Sequence, residues 1–195
     1  MRTLLAGGLV LGAGAAVTVA AWTAQDDAVG GFVTSRFSTE STVNGGTSWS
    51  DNSTTPATLS LSAGALMPGD ATAASFGIHA TTGSVSGTES LQTPSGVAGA
   101  LAPSLQYRVY RASSSACSAT SAPAAGSDWL VGDAVGWAAL SSTVPANSTP
   151  LAAGGTGAPG APAWFCFQVR LSTDAPNSVQ ASGAQATWRF LGTSS

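Results

Sequence analysis

Lysine is absent from this chain of 195 residues, and its six basic residues are all arginine. A P-loop lysine, a Schiff-base lysine and a catalytic Ser-Lys pair are therefore excluded. So are Lys–Asn isopeptide crosslinks and the lysine-dependent sortase polymerisation of some surface pilins. Histidine occurs once, at His79, and glutamate twice, at Glu40 and Glu89. A His-Glu-x-x-His zinc site needs two histidines on one helical face plus a glutamate base. The one histidine falls instead in a predicted strand with no glutamate expected near it. Two scattered glutamates do not make a glycosidase pair. A Ser-His-Asp triad would have to use His79, but there is no Gly-x-Ser-x-Gly elbow, and His79 is expected on the solvent face of its strand. No Asp-x-Asp-x-Asp calcium loop occurs. Asp128 and Asp133 are the only acidic pair of note and read as solvated loop carboxylates. No catalytic residue, metal or cofactor is expected. With nine acidic residues, a net charge of −3 and no basic stripe, nucleic acid is not an expected partner.

The sequence also has little charge in its first 25 residues, where Arg2 stands alone before Asp26. Between them runs an apolar stretch, Thr3 to Ala21, rich in Leu, Val, Gly and Ala and ending in small residues. A positive start, an apolar middle and a small-residue end describe a secretory signal. The run is about long enough for a membrane span, which takes ~20 residues. Its Gly and Ala content, and Asp26-Asp27 where a basic stop would stand, favour a cleaved signal. Cut sites after Ala20 and after Ala21 both fit. The expected organisation is a signal peptide over residues 1–20 and one secreted domain over 21–195, with membrane contact only through an uncleaved signal. No Leu-Pro-x-Thr-Gly motif occurs, so sortase anchoring is not expected.

Disorder would require low hydrophobicity with high net charge. Here 44% of the residues are apolar. Glu and Gln are scarce, while Thr, Val and aromatics fall in short runs, which is a β-rich composition with long small-residue loops. Strands are predicted over 31–37, 58–62, 73–80, 84–91, 105–111, 164–171 and 184–191, with short ordered pieces at 129–131 and 136–140 inside a long loop from Ser113 to Pro162. Met67-Pro-Gly-Asp70 and Asp174-Ala-Pro-Asn177 read as turns. Phe165, Phe167, Val169 and Leu171 should face the core and Cys166 the opposite side. Seven to nine strands without βαβ alternation imply an all-β, antiparallel β-sandwich. In an exported protein the only two cysteines, Cys117 and Cys166, form one disulfide. Of six tryptophans, Trp164 and Trp188 lie in strong strands and are structural. Trp129 and Trp137, in the loop region, are the candidates for a surface contact.

Two stretches, Ala20–Phe37 and Trp164–Gln180 closing with Ala186–Phe190, together with the turn Pro68-Gly-Asp70, resemble the exported proteins with SipW-dependent signal peptides, the TasA/camelysin-like group. Trp22 and Phe32 match that pattern. Arg36-Phe37 stands where Gly-Thr-Leu or Gly-Thr-Phe is usual, and the middle of the chain shows no likeness. The resemblance implies a jelly-roll sandwich, a dedicated signal peptidase, and a place at the cell surface or in a biofilm matrix. It also implies fibre assembly by donation of an N-terminal strand to the next subunit. Here Trp22, Val29 and Phe32 would lie on that strand. The alternative is a tail that pairs within its own subunit, favoured by the poor strand Gln25-Asp-Asp27 and the break at Gly30-Gly31. Camelysin-like relatives are classed as metallopeptidases, an activity for which His79 alone is too little. The reading is a non-enzymatic structural protein whose partners are further copies of itself or a surface protein or glycan. An extracellular binding module is the alternative.

Overall fold

The alternation in Ala163–Leu171 (β9) produces the central strand of the molecule. In the computed structural model, which describes residues 34–61, 66–123 and 125–195, β9 pairs antiparallel with Ala71–Ala80 (β2) on one side and Leu105–Ala112 (β5) on the other. Thr39–Thr42 (β1) adds to β2, while Trp129–Val131 (β6) and Ala138–Ala139 (β7) both pair with β5. A second sheet has the order β11-β3-β8, from Phe190–Ser194, Gly87–Leu91 and Thr149–Leu151. Ser95–Ala98 (β4) and Gln185–Thr187 (β10) form a separate ribbon. All strand pairs are antiparallel, so the fold is an all-β sandwich, with residues 34–195 in one compact unit. Among the described residues no helix is long and apolar enough to cross a membrane.

One core lies between the sheets. Phe165, Phe167, Val169 and Leu171 from β9 meet Leu105, Tyr107 and Val109 from β5, Ile78 from β2, and Leu91 and Leu151 from the small sheet. Each fully buried side chain of this class contributes roughly 1.5–3 kcal/mol. The opposite face of the large sheet is covered as well, by loops. Cys117 is bonded to Cys166, with Cα atoms 5.3 Å apart. Gln168 Nε2 donates to the carbonyls of Ser118 (2.6 Å) and Ser121 (2.8 Å), and Tyr110 Oη donates to Ser121 Oγ at 2.7 Å. The disulfide segment thus closes over β5 and β9, which is why Tyr110, Cys166 and Gln168 are buried on the side away from the core.

The Met67–Asp70 turn forms as expected. The Asp70 amide donates to the Met67 carbonyl at 2.9 Å, and Gly69 supplies the positive φ of +92° that a third turn position demands. Several expectations need correction. The first described strand is Thr39–Thr42, just after the segment 31–37 in which a strand is predicted; Arg36 makes only a single bridge to Ser84, and residues 31–33 lie outside the described ones. Leu59 and Leu61 do point inward against the core, but the segment 58–61 has no ladder partner and is not a strand. The last strand divides at Trp188-Arg189 into β10 and β11, which join different sheets. With β4 and β8 included, the strands among the described residues number eleven, not seven to nine.

Candidate functional site

Strand β3 carries the least apolar inward face of the sandwich. Gly87, Glu89 and Leu91 point inward, so a carboxylate stands where the alternation calls for a hydrophobe. Two glycines make the space. A Cβ on Gly192, opposite Glu89 in the ladder, would come within 2.7 Å of both Glu89 Oε1 and the Phe37 ring, and one on Gly87 would meet that same ring at 2.6 Å. Phe37 and Glu89 therefore lie side by side on the floor made by β3 and β11.

Above them is a cleft of about 800 Å³. Phe76, Ile78, Leu105 and Phe167 line it from the large sheet, Phe190 and Trp188 from the C-terminal segment, and Leu59 and Leu61 from the segment before the Met67 turn. Its rim carries Glu40, Asp51 and Arg189. Glu89 is 3% exposed, and burial pushes its carboxyl up to about 7. Burial likewise pushes the Tyr107 hydroxyl up to about 12. Among the described residues, Tyr107 Oη and Trp188 Nε1 are buried without a hydrogen-bond partner. Their rings lie 6.1 Å apart, so two unpaired polar atoms share the region beside the cleft. Such atoms cost roughly 1–3 kcal/mol each when left unmet.

The single histidine is not on a solvent face. His79 is 4% exposed, because Trp49 stacks on its ring at 3.9 Å from the loop after β1. Nor is glutamate distant: Glu40, its ladder partner on β1, places Oε2 3.2 Å from His79 Nε2. Trp164 sits beside Trp49, over Gly46 and Gly77. No described cluster of three His, Cys, Asp or Glu could hold a metal ion.

Compared with protein families, with curated proteins and with solved structures, the chain matches none of them. What the protein does must be argued from its own geometry.

Trp129 and Trp137 are brought together on the outer face of the large sheet, around Arg108. The guanidinium lies 5.1 Å from the Trp129 ring and 4.3 Å from Trp137, and Arg170 lies 4.6 Å from Trp137. Arg108 Nε donates to Gln168 Oε1, and Nη1 donates to the carbonyls of Asp133 (3.2 Å) and Ala134 (2.9 Å). Desolvation and the Arg170 charge lower the Arg108 pKa, opposed by Tyr110 and Asp133. Asp133 itself accepts from the amides of Gly136 and Val135, which caps the loop carrying Trp137. Asp128, the other member of the acidic pair, is bound to Arg111 at 2.7 Å. Trp137→Ala removes two arginine stacks and should lower stability by about 1–2 kcal/mol, read as a shift of the urea midpoint. An unchanged midpoint would show that the stacks carry no net energy.

The sequence-derived cleavage residues Ala20 and Ala21, and the donor-strand residues Trp22, Val29 and Phe32, lie outside the described residues. Glu89 was noted only as half of an absent glycosidase pair. The sign that could have marked it was its place in Gly87-Thr-Glu-Ser-Leu91, two residues from an inward leucine. The cleft can accept a partly apolar segment or ligand and offers that guest one carboxylate, Glu89.

Proposed function

We propose that the protein is a secreted, non-enzymatic structural protein of the SipW-dependent, TasA-like type, working at the cell surface or in an extracellular matrix. Its signal is removed after Ala20 or Ala21, its sandwich has jelly-roll connectivity, and subunits join when an N-terminal segment fills the cleft of a neighbour. The observation that carries this reading is the cleft itself. Protein interiors pack at crystal density with few voids larger than a water molecule, whereas here the two sheets stand open over a cleft of about 800 Å³, lined by apolar side chains such as Phe76, Phe167 and Phe190 and by polar ones such as Thr39, Asn52 and Gln185. A strand with apolar plugs such as Trp22 and Val29 would close it, adding backbone hydrogen bonds at a sheet edge. The Cys117–Cys166 disulfide supports export, since such bonds persist in oxidising compartments. A glycan-binding role has less support, because Trp129 and Trp137 already stack on Arg108.

The test is the size and negative-stain morphology of the exported protein with and without residues 21–31. Fibres that require those residues are the expected result. Monomers in both preparations, at high concentration, would overturn the proposal.

A further inference from the structure

Glu89 has no described cation to answer it. Burial accounts for its raised pKa, the described residues place no charge or hydrogen bond on it, and the one basic residue lining the cleft among them, Arg189, is exposed at the rim. Glu89 is 97% buried beside Phe76, Phe167 and Phe190 in a cleft whose other lining includes Thr, Asn and Gln side chains, and its ionised form is costly unless a positive partner arrives with the guest. Glu40 and Asp51 on the rim add to the negative field at the entrance.

The segment proposed as the guest, residues 21–33, can supply that partner only once, because it holds no arginine. The chain contains no lysine, so its sole primary amine is the α-amino group. If the signal is cut after Ala20 or Ala21, this amine lies at Ala21 or Trp22, directly beside an indole. The next charge is Asp26, so Trp22-Thr-Ala-Gln25 can enter an apolar cleft behind the ammonium without bringing a second charge. The described chain begins at Thr34, three residues before Phe37, whose ring touches the glycine that faces Glu89. The stretch from Trp22 to Val33 reaches about 40 Å when extended, enough to fill its own cleft or a neighbour's.

We infer that Glu89 is the receptor for the α-ammonium of the mature N-terminal segment of this chain, which docks in the inter-sheet cleft with Trp22 behind it. This rests on the proposed removal of the leader and insertion of the segment. It adds a reason why cleavage must precede insertion: before the cut, no amine exists next to Trp22. Proteolysis thereby creates the charge that satisfies a carboxylate already buried in the acceptor.

The absence of lysine makes the test direct. The exported protein, its first residue fixed by mass spectrometry, is treated with an acetylating reagent near pH 8, and single acetylation is followed by intact mass. The native protein should label about fivefold more slowly than the same protein in urea, the effect near pH 8 of an amine pKa raised by about one unit. The pH midpoint of labelling should lie above the free amine's value by the same amount. Glu89→Gln should label at the unfolded rate while keeping its near-ultraviolet dichroism, and Glu89→Asp, which retains the charge, should stay protected. Equal labelling of native and unfolded protein would overturn the inference. So would an unshifted midpoint, or an exported chain that keeps residues 1–20. Fibres with a freely reactive amine would overturn it and leave the assembly reading standing. A monomer with a protected amine would support it and overturn the assembly reading.

Discussion

Reduction of the Cys117–Cys166 bond should lower the folding free energy by about 4 kcal/mol, the chain-entropy value for a loop of this length. The bond spans 49 positions of a chain whose intervening residues hold mostly Ala, Gly, Ser and Pro. They contribute only short strands to the core, so the unfolded chain has much freedom for the crosslink to remove. The native state also loses its anchor. Ser118 and Ser121 hold Gln168 and Tyr110 through hydrogen bonds that the disulfide keeps in place. If the segment lifts, Gln168, fully buried on β9, is left with its amide exposed to whatever water enters. Typical stabilities are 5–15 kcal/mol, so a loss of this size takes a large share. The measurement is urea unfolding followed by tryptophan fluorescence, with and without reductant, and for the Cys117→Ala/Cys166→Ala double variant. Overlapping transitions would mean that the covering loop holds itself. The expected shift ties folding to an oxidising compartment, in keeping with the proposed export.

The same cover explains where sequence reasoning stopped. Strand β9 was legible because Phe165, Phe167, Val169 and Leu171 alternate without a break, and Cys166 was placed on the opposite side for the same reason. Periodicity, however, reports which way a side chain faces and not whether the backbone has a neighbour. The alternation over 58–62 does bring Leu59 and Leu61 against the core, yet no strand pairs with the described residues 58–61. Conversely, β8 is Thr149-Pro-Leu151, three residues with a proline at a sheet edge, too short to show a period. His79, expected on a solvent face, does alternate with Ile78 and Ala80 away from the core but is buried. That this face is covered depends on Trp49, 30 positions earlier, arriving by way of a glycine-rich loop. Glu89 was hidden for a related reason: its burial depends on Phe37, Gly192 and the partner sheet, all distant in sequence.

With the N-terminal amine acetylated, so that no ammonium can answer Glu89, stability should fall as the pH rises from about 5 to about 8, by up to about 3 kcal/mol. The sign follows from the direction of the shift. Burial raises the carboxyl from an ordinary 4.5 to about 7. Between those values the folded state keeps a proton that the unfolded state has released, so raising the pH favours unfolding. The contribution is whole below 4.5, declines across that window, and is level above about 7. Asp51 and Asp133 act elsewhere. The Ser53 hydroxyl and amide hold Asp51 below its ordinary 3.8, and the Gly136 and Val135 amides do so for Asp133. Their support is present above that value and lost in stronger acid. Glu89→Gln, which cannot ionise, should flatten the dependence between about pH 5 and about pH 8 while leaving the acid limb in place. Urea midpoints at the two pH values measure it. Parallel shifts in the acetylated protein and the Gln variant would show that Glu89 finds water or a donor in the open cleft. A free amine that removes the dependence as completely as the Gln variant would show Glu89 held ionised by an N-terminal ammonium, linking the buried acid to the cut that frees the N-terminus.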